Sequence, residues 1–336
     1  LIVVEDDQGV SLEEMQRVLR PGGTIYQKGE DGTWFLHPAK AWPDNIDHWT
    51  HYFHSAGGNT VAQDTVVGPP RHLKWVGSPK WSRHHDRMAS MSALVSNEGR
   101  LFYIMDEGSR ISIQMPPKWE LVGRDAFNGV ILWKRDIPDW HSHLWPLKSG
   151  PTQLARRLVA VGDAVFVTLG IKAPVSMLDA ATGETTRVFE GSEGTEELIV
   201  AGKTLFVISI KEITELEKYR PEAGRTGDQR TVAARYKWDE LQRAIMAFDI
   251  ESGEQLWSHV SKVSPLTICS DDERFYFHDG DKVVAKHGRT GEEVWTGGET
   301  NRRDRMTINF GPKLLVERGQ VYFAGGDRLM HVYDAK

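Results

Sequence analysis

Cysteine is nearly missing from this chain: of 336 residues, Cys269 alone carries a thiol. A single thiol forbids an intrachain disulfide and any cysteine-built zinc or iron-sulfur centre, while leaving the compartment open. Long apolar runs are missing as well. No stretch approaches the roughly 18 apolar residues of a membrane span. The opening Leu1-Ile-Val-Val-Glu-Asp-Asp has neither a Met nor the basic-then-apolar layout of a signal peptide. Positive charge is in deficit, since 41 Lys and Arg stand against 47 Asp and Glu. The net charge of −6 supports neither nucleic-acid binding nor attachment to an anionic membrane surface. What the chain has in plenty is tryptophan and glycine, 12 and 32 residues. Large rings among many turn residues predict numerous short strands rather than helices. A content of 40% apolar and 26% charged residues predicts a folded chain, with length for about two domains.

The first forty residues form a unit of their own. Leu1 to Val4 reads as a buried parallel strand delivering acidic residues to its end. Ser11 and Glu14 make a capping box, Leu12, Met15, Val18 and Leu19 share one helical face, and Pro21-Gly22-Gly23 stops the helix before a strand at Thr24 to Tyr26.

From residue 90 the chain repeats. Gly123 to Trp133, Met177 to Arg187, Ala247 to Trp257 and Ala285 to Trp295 align as strand, tight turn and strand. Asp125, Asp179 and Asp249 open the turns by accepting local N–H bonds, and Gly129, Gly183, Gly253 and Gly291 supply the positive φ a hairpin needs. Trp133, Trp257 and Trp295 then fall at one position in the outgoing strand. A fifth copy begins at Val332-Tyr-Asp334. Each hairpin is preceded by another alternating pair: Ala93 to Ile104, Leu158 to Thr168, Leu198 to Ser209, Leu266 to His278 and Leu314 to Ala324. Four strands per unit predict a propeller blade. The turn glycines Gly129, Gly183, Gly253 and Gly291 are 54, 70 and 38 residues apart. The shortest interval is therefore close to a bare blade of about 40 residues and the others hold insertions. The charged stretch 211–242, with Trp238, Leu241 and Ile245 near helical spacing, is expected as a partly helical excursion from the third blade.

Two resemblances follow. Residues 1–26 resemble the late strand, helix, Pro-Gly-Gly turn and strand of class I S-adenosylmethionine-dependent methyltransferases. That family's glycine-rich cofactor loop has no counterpart here, so the likeness implies no methyl transfer by these residues. The Asp-x-x-x-Gly-x-x-x-Trp hairpins resemble the tryptophan-docking repeats of pyrroloquinoline-quinone-type (PQQ-like) β-propellers, and Asp47 to Asn59 with Val67 to Val76 looks like their lead-in. Together these features resemble planctomycete-type bacterial proteins that fuse a methyltransferase-like domain to such a propeller. The expected division is a methyltransferase-like remnant at 1–40, a lead-in at 41–89 and an incomplete propeller of four to five blades at 90–336. Both ends read as cut. Arg187 stands where tryptophan is expected and His287 where aspartate is, which should weaken docking there.

The resemblance also bears on chemistry. Quinone-dependent relatives hold the cofactor beside calcium under a disulfide between adjacent cysteines, which Cys269 cannot provide, so no cofactor is expected in these residues. S-adenosylmethionine would belong to a full-length protein. Many relatives keep the blades without a cofactor, including the propeller lipoprotein of bacterial outer-membrane assembly, which points to an extracytoplasmic setting.

Histidine is clustered. His48, His51 and His54 are spaced by three, His84-His85-Asp86 form a polar knot, and His141 and His143 flank a loop with Trp140 and Trp145. Imidazole beside a carboxylate is the minimum for an oriented acid or base. The spacing of the first three does not gather one metal on a helix or a strand, so hydrogen-bonded structural or surface histidines lead, a ligand pocket comes second and a metal last. Arg83, His84, His85, Asp86 and Arg87 precede the first inner strand, where a propeller chain nears its axis, and Trp81 could stack on a sugar. These are the expected ligand-facing residues, with Arg302 to Arg305 as a second basic segment. The expected role is a non-catalytic module for a protein or carbohydrate ligand. The rivals are an enzyme using His84, His85 and Asp86, and a methyltransferase whose cofactor half lies elsewhere.

Overall fold

The computed structural model of the protein describes residues 1–6, 9–83, 90–112, 114–142, 153–212, 238–304 and 311–336. At the amino end, β1 (Ile2–Val4) pairs in parallel with β2 (Ile25–Lys28) across helix α1 (Leu12–Val18), and β3 (Trp34–Leu36) adds antiparallel to β2. Ser11 Oγ accepts the Glu14 N–H at 3.2 Å, which is one arm of the expected capping box; the Glu14 carboxylate pairs with Arg17 instead of returning to the cap. The apolar face is narrower than expected. Met15 and Leu19 pack on Val4 and Ile25, whereas Leu12 and Val18 are exposed, because so short a helix meets a three-stranded sheet along one edge only.

Four antiparallel four-stranded sheets and one of three strands follow in chain order. Blade 1 is β4 (Met91–Asn97), β5 (Arg100–Asp106), β6 (Trp119–Asp125) and β7 (Ile131–Ile137). Blade 2 is β8 (Leu158–Val161), β9 (Ala164–Thr168), β10 (Val175–Asp179) and β11 (Thr185–Phe189). Blade 3 is β12 (Thr195–Ala201), β13 (Thr204–Ser209), β14 (Gln242–Asp249) and β15 (Gln255–Lys262). Blade 4 is β16 (Ile268–Ser270), β17 (Arg274–His278), β18 (Lys282–His287) and β19 (Glu293–Glu299). Blade 5 is β20 (Lys313–Glu317), β21 (Gln320–Ala324) and β22 (His331–Asp334). The first strands, β4, β8, β12, β16 and β20, lie against one another in succession, so the sheets are radial and these strands are innermost. The cores sit between blades: Phe102, Trp133, Leu158 and Leu178 join blades 1 and 2, and Phe206, Phe275 and Phe277 join blades 3 and 4.

The repeat turns do what their residues predict. Asp179 Oδ1 accepts the N–H groups of Ala181 and Thr182 at 2.9 and 2.8 Å, and Asp125 and Asp249 act alike. The Trp133 indole lies on the Gly183 turn of the next blade and donates to Ala180 O at 3.1 Å. A Cβ on Gly183 would stand 2.5 Å from that ring, and its φ is +74°, so glycine is required on two counts. Trp257 docks on the Gly291 turn in the same way, donating to Gly288 O at 2.8 Å. The two departures do not open gaps. Arg187 lays its guanidinium on the Gly253 turn and donates to Ser252 O at 2.6 Å and Glu251 O at 2.7 Å, while His287 Nδ1 accepts the Thr290 N–H in place of an aspartate oxygen.

One sequence expectation changes. Ile245 belongs to β14, paired with Ile208 and His259, and does not continue a helix from Trp238, because its neighbours alternate and complete the blade. Of the 211–242 insertion, residues 213–237 lie outside the described residues.

Candidate functional site at the propeller axis

The inner strand of a propeller has one edge without a partner strand, and its N–H groups need acceptors. Residues 49–57 of the lead-in supply them blade by blade. Trp49 O accepts from Ser96 N, Thr50 O from Ala160 N, His51 Nε2 from Val200 N, Ala56 O from Ser270 N and Gly57 O from Val316 N, all between 2.8 and 3.0 Å. The axis is therefore filled by chain at this level. Close approach depends on Gly57, where a Cβ would meet Val316 O at 2.9 Å.

His51 is buried and its tautomer is fixed. Val200 N–H can only donate, so Nε2 is unprotonated and Nδ1 carries the proton toward Thr50 Oγ1 at 2.8 Å. Burial, with the Arg156 charge adding to it, pulls the His51 pKa from 6.5 to about 3. His278 is also driven to about 3, chiefly by burial, between Ser264 Oγ and Thr300 Oγ1 and stacked on Phe323 at 4.2 Å. His54 Nε2 meets Asp47 Oδ2 at 2.7 Å. All three are hydrogen-bonded structural groups, which for His51 and His54 is the leading reading of their sequence.

The pH dependence follows in sign. In the unfolded chain both His51 and His278 take a proton near 6.5, whereas in the fold they remain neutral until about pH 3. The stability their neutral forms contribute is complete above 6.5 and declines as pH falls toward 3. Between pH 7 and 5 the expected loss is about 1–2 kcal/mol for each histidine. Urea unfolding at the two pH values checks this, and a His51→Gln variant should show a shallower dependence; an unchanged slope would contradict the assignment.

Tyr52 and Phe53 sit at the tip of the turn between His51 and His54, which bond to each other's backbone. Phe53 reaches the level where the inner strands begin. There Arg156, in the 3₁₀ turn Leu154–Arg157 that feeds β8, lies 5.0 Å above the ring, and Lys313 Nζ, at the start of β20, lies 4.7 Å from it. Glu197 of β12 pairs with Arg156 Nε at 2.8 Å and accepts the Leu266 N–H at 2.7 Å, and Arg156 also donates to Ile268 O. Burial first, and Arg156 second, lowers the Lys313 pKa to about 8. Blades 2, 3, 4 and 5 thus meet in one polar cluster whose charge is net positive. Its members each stand beside the first apolar residues of an inner strand: Arg156 before Leu158-Val-Ala, Glu197 before Leu198-Ile-Val, Lys313 before Leu314-Leu-Val. That pattern was the available signal, and it went unused outside 83–87 and 302–305.

His84, His85, Asp86 and Arg87 lie outside the described residues, as do His143, Trp145 and Arg305. Arg83 does not face an open channel: its side chain is 1% exposed, pairs with Asp106 at 2.9 Å and holds Pro116 O at 3.0 Å, clamping the β5–β6 loop. An arginine beside a buried carboxylate and three loop carbonyls is drawn to them before solvent. Trp81 is 63% exposed beneath Lys80. Arg302 covers Trp238 at 4.3 Å and binds Glu240. A docking residue was missed: Trp75 lies on the Gly129 turn and donates to Ala126 O at 2.8 Å.

Among the described residues, those at the axis do not fit the quinone and its calcium. Cys269, between Ile268 and Ser270, has no adjacent cysteine; it is buried against Gly58, and burial raises its thiol pKa far above the ordinary value. Phe53 and residues 49–57 occupy the centre. Among the described residues no group of three His, Cys, Asp or Glu side chains could hold a metal ion, and no helix is long and apolar enough to cross a membrane.

A family described as Outer membrane protein assembly factor BamB matches residues 226–336. No curated protein sequence matches the chain. Among solved structures, similarity is found to a quinohemoprotein alcohol dehydrogenase from Comamonas testosteroni, with 13% identity, 86% of this chain and 48% of that one covered, and a TM-score of 0.49. A europium-containing methanol dehydrogenase gives 10%, 86%, 58% and 0.42, and BamB from Moraxella catarrhalis 13%, 78%, 73% and 0.36. The chain thus spans about half the length of the two dehydrogenases. The fold is mainly β, a PQQ-like, quinoprotein-type propeller.

Proposed function

We propose that this propeller is a non-catalytic binding and scaffold module for a protein or carbohydrate ligand, carried by a larger, extracytoplasmic protein that joins it to a methyltransferase-like domain. The observation that carries the reading is the lead-in chain hydrogen-bonded to all five inner strands. It makes the axis a rigid, protein-filled hub rather than a cofactor cage, and leaves the loops at the blade ends as the working surface. The parallel β1–β2 pair with α1 supports the methyltransferase-like tail. The match to the BamB family supports protein interaction. His84, His85 and Asp86 are proposed as ligand contacts beside the first inner strand.

The test is a glycan array combined with calorimetry and turnover assays. Saturable binding without product release is expected, weakened by His85→Ala at an unchanged melting temperature. Quinone with calcium should give no dye-linked alcohol or sugar oxidation, and S-adenosylmethionine no binding. Quinone-dependent turnover, or polysaccharide cleavage lost in His85→Ala, would overturn the reading.

A further inference from the structure

Blade 1 carries a cavity of ≈ 580 Å³ at the end where the inner strands begin. It lies where β6 starts and β7 ends, and the paired residues Trp119 and Ile137 both line it. Trp119 and His141 make one wall, with ring centroids 4.6 Å apart and the indole N–H donating to His141 O at 3.2 Å. Trp140 is fixed behind them by its bond to Ser92 Oγ at 3.2 Å, and Asp139 O holds the loop by accepting the Ile171 N–H at 2.7 Å. The wall is thus built before any ligand arrives.

Charge in this cavity is not balanced. Lys118 and Lys134 both pair with Glu120, and Lys134 with Glu107 as well. Among the described residues, Asp136 and Asp139, which also line the cavity, carry no side-chain hydrogen bond or ion pair; Lys118, a cationic side chain of the same lining, is shared between Glu120 and the field of Asp136, and Asp139 has no such neighbour. Two exposed carboxylates in a lining that also holds aromatic and proline side chains are complementary to a cation on an apolar stem. The size is that of a small-ligand pocket, roughly 300–1,000 Å³.

We propose that this cavity binds an ammonium or guanidinium group on an aliphatic stem, as presented by a basic segment of a protein partner, with Asp136 and Asp139 taking the charge and Trp119, Pro138 and His141 the stem. This deepens the binding-module reading and rests on it.

The test is calorimetry of the full chain with an acetylated, amidated Lys-Ala-Lys-Ala-Lys peptide and, separately, with spermidine. The peptide should bind, and Asp136→Asn with Asp139→Asn should weaken it by about tenfold. The charge-matched pair Glu190→Gln with Glu193→Gln, on the exposed turn after β11, should change it by less than about twofold. Both carboxylate pairs are exposed, so melting temperatures should hold. Tighter binding of the peptide than of spermidine assigns the cation to a protein; the reverse assigns it to a free polyamine and overturns the protein source. Equal losses in the two double variants, or no peptide binding at low salt, would remove the site. Glycan or partner binding that survives such a failure leaves the module reading intact, whereas turnover would remove that reading instead.

Discussion

Glu197→Gln is expected to destabilise the protein by about 3–5 kcal/mol, measured by urea unfolding near neutral pH. The Glu197 and Arg156 side chains are 1% and 4% exposed, and among the described residues the carboxylate is the one acidic partner the guanidinium has. Glutamine keeps the shape and can still accept the Leu266 N–H, so the loss isolates the charge. It leaves Arg156 buried above Phe53 with Lys313, a second cation, over the same ring. The four blades tied by this cluster then share an uncompensated positive charge. A companion Arg156→Met should recover a large part of the loss, since removing both charges removes the mismatch. A loss below about 1 kcal/mol, the range of an exposed pair, would show that water reaches the cluster and that it does not clamp the axis.

How much of this was legible depends on how local the signal is. Asp125, Gly129 and Trp133 fall within one hairpin, and the turn chemistry of aspartate and glycine needs no tertiary context, so the blades could be read residue by residue. The docking partner of each tryptophan lies in the next blade. Trp75 escaped notice for that reason: it lies in the lead-in outside any strand, and its partner Gly129 belongs to blade 1. The lead-in histidines carried a signal that spacing could not decode. His51 is set by the Val200 N–H, 149 residues away, and only the adjacent glycines at 57 and 58 hinted that backbone must come close. The axial cluster is the clearest case. Placing residues at the start of an inner strand near the axis was sound geometry, and it holds for Arg156 just before β8, Glu197 early in β12 and Lys313 at the first position of β20. It failed for Arg83 because the β5–β6 loop offered that side chain a carboxylate and carbonyls of its own.

Trp133→Ala should cost about 3–5 kcal/mol, and the same change at Trp295 markedly less. Both rings occupy the docking position, so the comparison separates what the repeat residue does from what any buried tryptophan does. Trp133 is buried among Phe102, Leu158 and Leu178 between blades 1 and 2, its N–H is satisfied by Ala180 O, and Gly183 lies flat beneath it. Removing it opens a cavity across a blade interface and orphans a turn carbonyl. Trp295 is only partly buried, stacks on Tyr333 at 5.5 Å, and its N–H has no hydrogen-bond partner among the described residues. Gly183→Val approaches Trp133 from the other side and should lose a similar amount, because the φ of +74° and the ring 2.5 Å from the new Cβ both oppose a side chain. Combining Trp133→Ala with Gly183→Val tests the contact itself: with the ring gone the valine meets open space, so the two losses should fall short of additivity by the steric part. Full additivity, or equal costs at Trp133 and Trp295, would mean that the tryptophans stabilise their own blades and do not dock neighbours.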